Sequence, residues 1–152
     1  MGLHLVAHAG EAAGAESIWQ VVDELGVERI GHGVAAINEP ELMEHLKKRN
    51  ITIETCPTSN VKTRVVRTLR SHPIRAFHDF GLTVTVNTDD PLMFGTDMNN
   101  EYVQLHRQLG FSLSELFKLS LNAVNSSFLP EEARSKMCES FVKTHNRIKE
   151  EE

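Results

Sequence analysis

The sequence predicts an α/β chain on a parallel sheet, with four strands alternating with three helices before a purely helical C-terminal part. Three observations predict it. Short β-branched or apolar runs recur between stretches of 3.6-residue apolar period, each run stops at a polar turn punctuated by glycine or proline, and the alternation ceases after the fourth run. The composition permits it: 152 residues with 40% hydrophobic and 24% charged side chains are enough for one domain with a core, expected over residues 1–152.

Gly2 to His8 reads as the first strand and runs into His8-Ala9-Gly10-Glu11, where small residues leave room beside two reactive side chains. Ala15 to Leu25 carries Ile18, Val21, Val22 and Leu25 at helical spacing and ends at Gly26, a C-terminal glycine. Val27 to Ile30 is a second, short strand that stops at Gly31-His32-Gly33. Asn38 and Glu41 have the spacing of a capping box, and Leu42, Met43 and Leu46 form the stripe of a helix to about Arg49. Ile51 to Thr55 is the third strand, followed by a turn-rich loop, Cys56-Pro57-Thr58-Ser59-Asn60. The basic run Lys62 to His72 reads as a solvated face, with a phosphate contact as the weaker alternative.

Pro73, Ile74, Ala76, Phe77 and Phe80 make a short helix closed by Gly81. The fourth strand, Thr83 to Val86, leads into Asn87-Thr88-Asp89-Asp90-Pro91, where Pro91 removes a ladder donor and leaves two carboxylates at the strand's C-terminal lip. Adjacent strand residues point to opposite faces, so the two carboxylates can take different tasks, although Asp90-Pro91 alone would be a helix cap. Helices over Met98 to Leu109, Ser112 to Ser127 (with a Ser112–Glu115 capping box) and Pro130 to His145 complete the chain, and Lys149 to Glu152 reads as a frayed tail.

A (β/α)8 barrel needs about 250 residues, so four strands match half of one; a small doubly wound domain also fits the length. The polar residues at successive strand ends favour the half-barrel.

Composition narrows the function. A net charge of −5 argues against nucleic acid and for a small-molecule partner. No apolar run spans a bilayer and no secretory leader pattern opens the chain, so a cytoplasmic protein without membrane association is expected. Cys56 and Cys138, far apart and in no Cys-x-x-Cys spacing, indicate neither a zinc knuckle nor a disulfide framework. There is no nucleophile elbow, Walker loop or dinucleotide fingerprint.

The residues expected on one rim are His8, Glu11, His32, Asp89 and Asp90. Imidazole and carboxylate donors suit a catalytic zinc. Burial would make Glu11 a general acid, and His32 is placed to orient or deprotonate a water. Each has a plainer alternative: Glu11 as a helix N-terminal acid, His32 as a turn residue, a lone strand-end histidine as a satisfied polar group. Five on one rim make coincidence less probable. His4, four residues before His8, is taken as structural and deeper in the barrel. His45, His72, His78, His106 and His145 fall on or beside helices and read as surface or packing residues.

Four segments carry a resemblance: His-Ala-Gly-Glu at 8–11, Arg-Ile-Gly-His-Gly at 29–33, Glu-Thr-Cys-Pro-Thr-Ser-Asn at 54–60 and Asn-Thr-Asp-Asp-Pro at 87–91. In that order and spacing the chain resembles the C-terminal half of the adenosine deaminase family, metal-dependent hydrolases on a TIM-type (β/α)8 barrel. The match continues through Glu101-Tyr102 and the segments Asn122-Ala123 to Ser127-Phe128. The resemblance implies zinc-dependent hydrolysis of the 6-amino group of a purine nucleoside, giving inosine and ammonia from adenosine. It makes His8 and Asp89 zinc ligands, Glu11 the proton donor to purine N1, and His32 the residue that orients and helps deprotonate the attacking water. Asp90 would bond N7, and Gly10 would lie against the substrate. The family's first barrel strand carries a His-x-His pair that supplies two further ligands, and this sequence has no such pair. The chain is therefore expected to need a complementing N-terminal half for activity, or to stand as a non-catalytic half-barrel that hides its sheet edges by self-association. Adenosine is the expected substrate; adenine, methylated adenine nucleotides and aminofutalosine are the alternatives.

Overall fold

The structure, a computed structural model, describes residues 2–151. Its elements in order are β1 (Val6–Ala9), α1 (Ala15–Asp23), β2 (Arg29–His32), a 3₁₀ turn (Val34–Asn38), α2 (Pro40–Lys48), β3 (Thr52–Thr55), α3 (Pro57–Lys62), a second 3₁₀ turn (Leu69–Ser71), α4 (Ile74–Phe80), β4 (Val84–Val86), α5 (Pro91–Phe94), α6 (Met98–Leu109), α7 (Leu113–Asn125) and α8 (Glu131–Glu150). The four strands form one parallel sheet in the order β1-β2-β3-β4, the arrangement that successive βα units produce.

The sheet has two unlike faces. Ile30, Ile53, Val84 and Val86 join Ile18, Val22, Leu42, Leu46, Ile74 and Phe77 from the helices in one buried apolar cluster. In register on the opposite face stand His8, Gly31, Glu54 and Thr85, with Val6 and Arg29 one step down their strands. This face is polar and partly open: Arg29 Nε lies 3.2 Å from Glu54 Oε1, and Val6 is 40% exposed. The last helices turn back onto the β4 edge, where Asn122 Nδ2 donates to the Val84 carbonyl at 2.9 Å and Leu116 and Leu119 enter the core. Among the described residues no helix is long and apolar enough to cross a membrane.

Several boundaries differ from expectation for identifiable reasons. The first strand begins at Val6, and His4 lies outside it: exposed, stacked on Phe128 with ring centroids 4.2 Å apart and 2.8 Å from Glu28. Asn38 ends a 3₁₀ turn instead of capping α2; Glu39 holds the N-cap position without a side-chain bond, and Pro40 starts the helix. Leu25 lies past the end of α1 and is 58% exposed. Cys56 to Asn60, expected as a loop, enters α3, again with a proline in the first turn. The helix expected to end at His145 runs on to Glu150. The Ser112–Glu115 capping box is formed as expected. Of the predicted frayed tail, Glu152 lies outside the described residues.

Candidate active site

Parallel strands place all four C-terminal ends on one rim, and the sequence-derived candidates lie there. Register sets His8 beside Gly31, where the absent side chain leaves room for the imidazole; a Cβ at Gly31 would run into the His8 ring. The His8 ring meets His32 edge-on, centroids 4.8 Å apart at 86°. His32 and Gly33 both adopt left-handed backbone, φ 67° and 61°, so the chain turns sharply at the end of β2. That turn folds the His32 imidazole inward, 2% exposed, with Nε2 3.5 Å from Glu11 Oε2. Gly10 supports the turn below Glu11: its N–H donates to Ser17 Oγ at 2.9 Å and its carbonyl accepts from Ala35 at 2.8 Å.

Asp89 and Asp90 stand at the end of β4, between it and α5. β4 stops at Val86, so the aspartates do not alternate along a strand as expected; Asp89 sits in a left-handed turn, φ 59°. Its Oδ2 accepts from Ser59 Oγ at 2.7 Å, leaving Oδ1. Asp90 is the N-cap of α5, accepting from the Met93 N–H at 2.8 Å. The helix-cap reading is therefore realised at Asp90, one of whose oxygens is committed to it.

Four contributors escaped the sequence reading. Asn60, fully buried, donates through Nδ2 toward His32 Nδ1 at 3.1 Å and Glu11 Oε1 at 3.3 Å. His72, 3% exposed, meets Asn60 Oδ1 through Nε2 at 3.2 Å. Ser59 fixes Asp89. The buried Glu101 accepts from the Thr58 N–H at 3.2 Å and from Thr96 Oγ1 at 2.6 Å, tying α6 to the start of α3. The available signal was Pro57, a first-turn residue that makes Ser59 and Asn60 neighbours on a helix rather than members of a loop.

The donor atoms decide what metal could be held. His32, Cys56 and Asp89 bring ligand atoms within 4.8 Å of one another. Burial, then the nearby carboxylates of Asp89, Glu11, Glu54 and Glu101, push the Cys56 thiol up to about 12, and Sγ donates to the Glu54 carbonyl at 3.7 Å. Imidazole and carboxylate remain as donors. Neither ring nitrogen of His8 bonds to another described residue, and Asp89 keeps Oδ1 free with its carboxylate already oriented by Ser59. This set fits a catalytic zinc, supplying two of the usual three protein ligands. A cavity of about 330 Å³ lined by Arg29, Arg49, Thr52 and Phe128 lies at the opposite, N-terminal strand ends, away from this chemistry.

Comparison with known proteins gives the family. The adenosine deaminase family matches residues 1–144. The chain belongs to the adenosine deaminase family. Among curated relatives, an adenosine deaminase of Shewanella loihica is 48% identical over 88% of this chain and 40% of its own length. An aminodeoxyfutalosine deaminase of Streptomyces coelicolor is 47% identical over 91% of this chain and 36% of its own length. Among solved structures, adenine deaminase from Arthrobacter aurescens superposes with a TM-score of 0.91 at 33% identity, covering 95% of this chain and 44% of that one. An amidohydrolase from Burkholderia ambifaria with bound zinc shares the fold, TM-score 0.88 at 23% identity, over 97% of this chain and 42% of that one. The chain thus spans less than half the length of these proteins and matches the C-terminal portion of its adenosine deaminase relatives, the half-barrel that the strand count predicts.

Proposed function

We propose that this chain supplies the acid–base wall of a zinc-dependent purine deaminase that hydrolyses the 6-amino group of adenosine to inosine and ammonia, the remaining metal ligands coming from a complementing N-terminal half. The observation that carries the reading is the convergence of His8, Glu11, His32 and an oriented Asp89 on one rim. His8 and Asp89 would hold the metal. Bound zinc supplies a Lewis acid that lowers the pKa of a water and so a nucleophile at neutral pH. Glu11 protonates purine N1, which makes C6 electrophilic. His32 orients the attacking water. Water adds at C6, one of its protons passing by way of Glu11 to N1; as the C6–N bond breaks, the proton of the new C6 hydroxyl moves to the amino group, which leaves as ammonia and leaves C6 as a carbonyl. Asp90, with one oxygen engaged by Met93, offers the other to N7; N7 is an acceptor, so that bond carries its proton on Asp90. Gly10 shapes the turn against which the base lies.

The partner in this reading is a small purine nucleoside, with neither nucleic acid nor membrane involved, and two free cysteines accord with a cytoplasmic setting. A relative acting on aminodeoxyfutalosine is as similar as one acting on adenosine, so an adenine derivative is the second reading.

The test co-purifies the chain with the N-terminal half of an adenosine deaminase, adds stoichiometric zinc and follows adenosine, adenine and aminodeoxyfutalosine by absorbance. Loss of adenosine absorbance that falls at least ~100-fold in Glu11→Gln is the expected result. An assembled, zinc-loaded complex inert toward all three substrates would overturn the proposal.

A further inference from the structure

A hydrogen-bond chain runs from the backbone of α4 to the candidate active site, and its polarity is fixed at one end. The Ile74 N–H, which can only donate, points at His72 Nδ1 at 3.1 Å. His72 Nδ1 is therefore an acceptor, and the neutral ring carries its proton on Nε2. That proton faces Asn60 at 3.2 Å, so the amide oxygen of Asn60 lies on the His72 side and the NH₂ on the other. The NH₂ then donates to His32 Nδ1 and to Glu11 Oε1. Turning the amide over would set two donors face to face at His72 and an amide oxygen against the Glu11 carboxylate. Burial and the neighbouring His32 hold the His72 imidazole down at about 4, which keeps it neutral as the chain requires.

We infer that Asn60 and His72 are positioning residues that hold His32 in its Nε2–H tautomer, so that His32 presents a hydrogen-bond donor, not a proton acceptor, to the site. Its Nε2 is the nitrogen facing Glu11, at 3.5 Å. With His8 and Asp89 set aside for the metal and Asp90 for N7, the proton acceptor left at the rim is Glu11, which can carry the proton taken from the water on to purine N1. His32 can then hold and aim the attacking water, while the second task suggested by the family resemblance, deprotonation, passes to a carboxylate. The catalytic meaning rests on the proposed deaminase reading; the tautomer itself does not.

The test uses the chain with ¹⁵N-labelled histidine, without metal or substrate, and reads long-range ¹H–¹⁵N correlations at neutral pH. The His32 and His72 signals are assigned by their loss in His32→Gln and His72→Gln. Both rings are expected to show a protonated Nε2 and a bare Nδ1. Asn60→Asp, which replaces the donor facing His32 by an acceptor, is expected to move the His32 proton to Nδ1; a merely structural role for Asn60 would loosen the site without inverting the tautomer. A protonated Nδ1 on His32 in the unaltered chain, a tautomer mixture there, or an unchanged tautomer in a folded Asn60→Asp chain would overturn the inference. Should Asn60→Asp not fold, the unaltered chain still decides. An inactive complemented enzyme alongside the expected spectrum would refute the deaminase reading and leave this one standing.

Discussion

Burying an imidazole penalises its charged form, and His72 shows what that does to the whole chain. Its pKa is held at about 4 by desolvation and then by the proximity of His32, against 6.5 for a free side chain. The unfolded chain therefore binds more protons than the folded chain between those values. Stability sits on its plateau above pH 6.5 and falls as pH drops toward 4, by roughly 3 kcal/mol once the interval is crossed. Melting temperature measured from pH 7 to 4 should fall steadily, and His72→Gln should remove most of that slope, starting from a lower plateau. An equal slope in wild type and variant would show that His72 does not hold its neutral form. The sequence could not expose this residue. A histidine before Pro73 looks like any surface histidine near a helix, and only the folding of α3 against the second 3₁₀ turn brings Asn60 to its Nε2.

At the scale of elements, the parallel strand order and the rim positions of His8, Glu11 and His32 were legible because period-2 and period-3.6 patterns alternate cleanly and each strand ends in a distinctive turn. Boundaries failed where one residue type serves two structures. Pro, Ser and Asn form turns and also open helices, which concealed α3, and Pro40 overrode the Asn38–Glu41 cap. The β2 turn shows how an element positions chemistry. Gly31 has ordinary strand backbone, so it is required only for the space that the His8 ring occupies. Gly31→Ala should therefore cost under ~1 kcal/mol, because the exposed His8 ring can swing away, yet it should separate His8 from His32 and weaken zinc binding by roughly 10–100-fold. Thermal melting and competition with a chelating dye measure the two effects. A large loss of stability with intact zinc affinity would mean that the glycine serves the sheet instead.

At the scale of the whole molecule, surface area exposes what the sheet lacks. A monomer of 17.1 kDa is expected to expose about 7,750 Å², whereas this chain exposes 8987 Å². The excess, on the order of 1,200 Å², is comparable to what one partner contributes to a sizeable interface. It includes the polar sheet face around Val6 and His8, together with Leu92 at 94% and Met93 at 74% exposure on α5 beside Asp90. β1 and β4 each leave one edge unpaired in the sheet. A complementing half-barrel would cover the face and both edges at once, whereas a second copy of this chain would cover them less well. Alone, the chain should sediment as a concentration-dependent dimer. Adding an N-terminal half should replace that dimer by a one-to-one complex with a melting temperature several degrees higher, as binding to the folded state requires. A chain that sediments as a monomer at every concentration, with a cooperative melt that the added half leaves unchanged, would show that the open face is stable without cover. The proposed catalytic rim would then have to be completed by something other than a half-barrel.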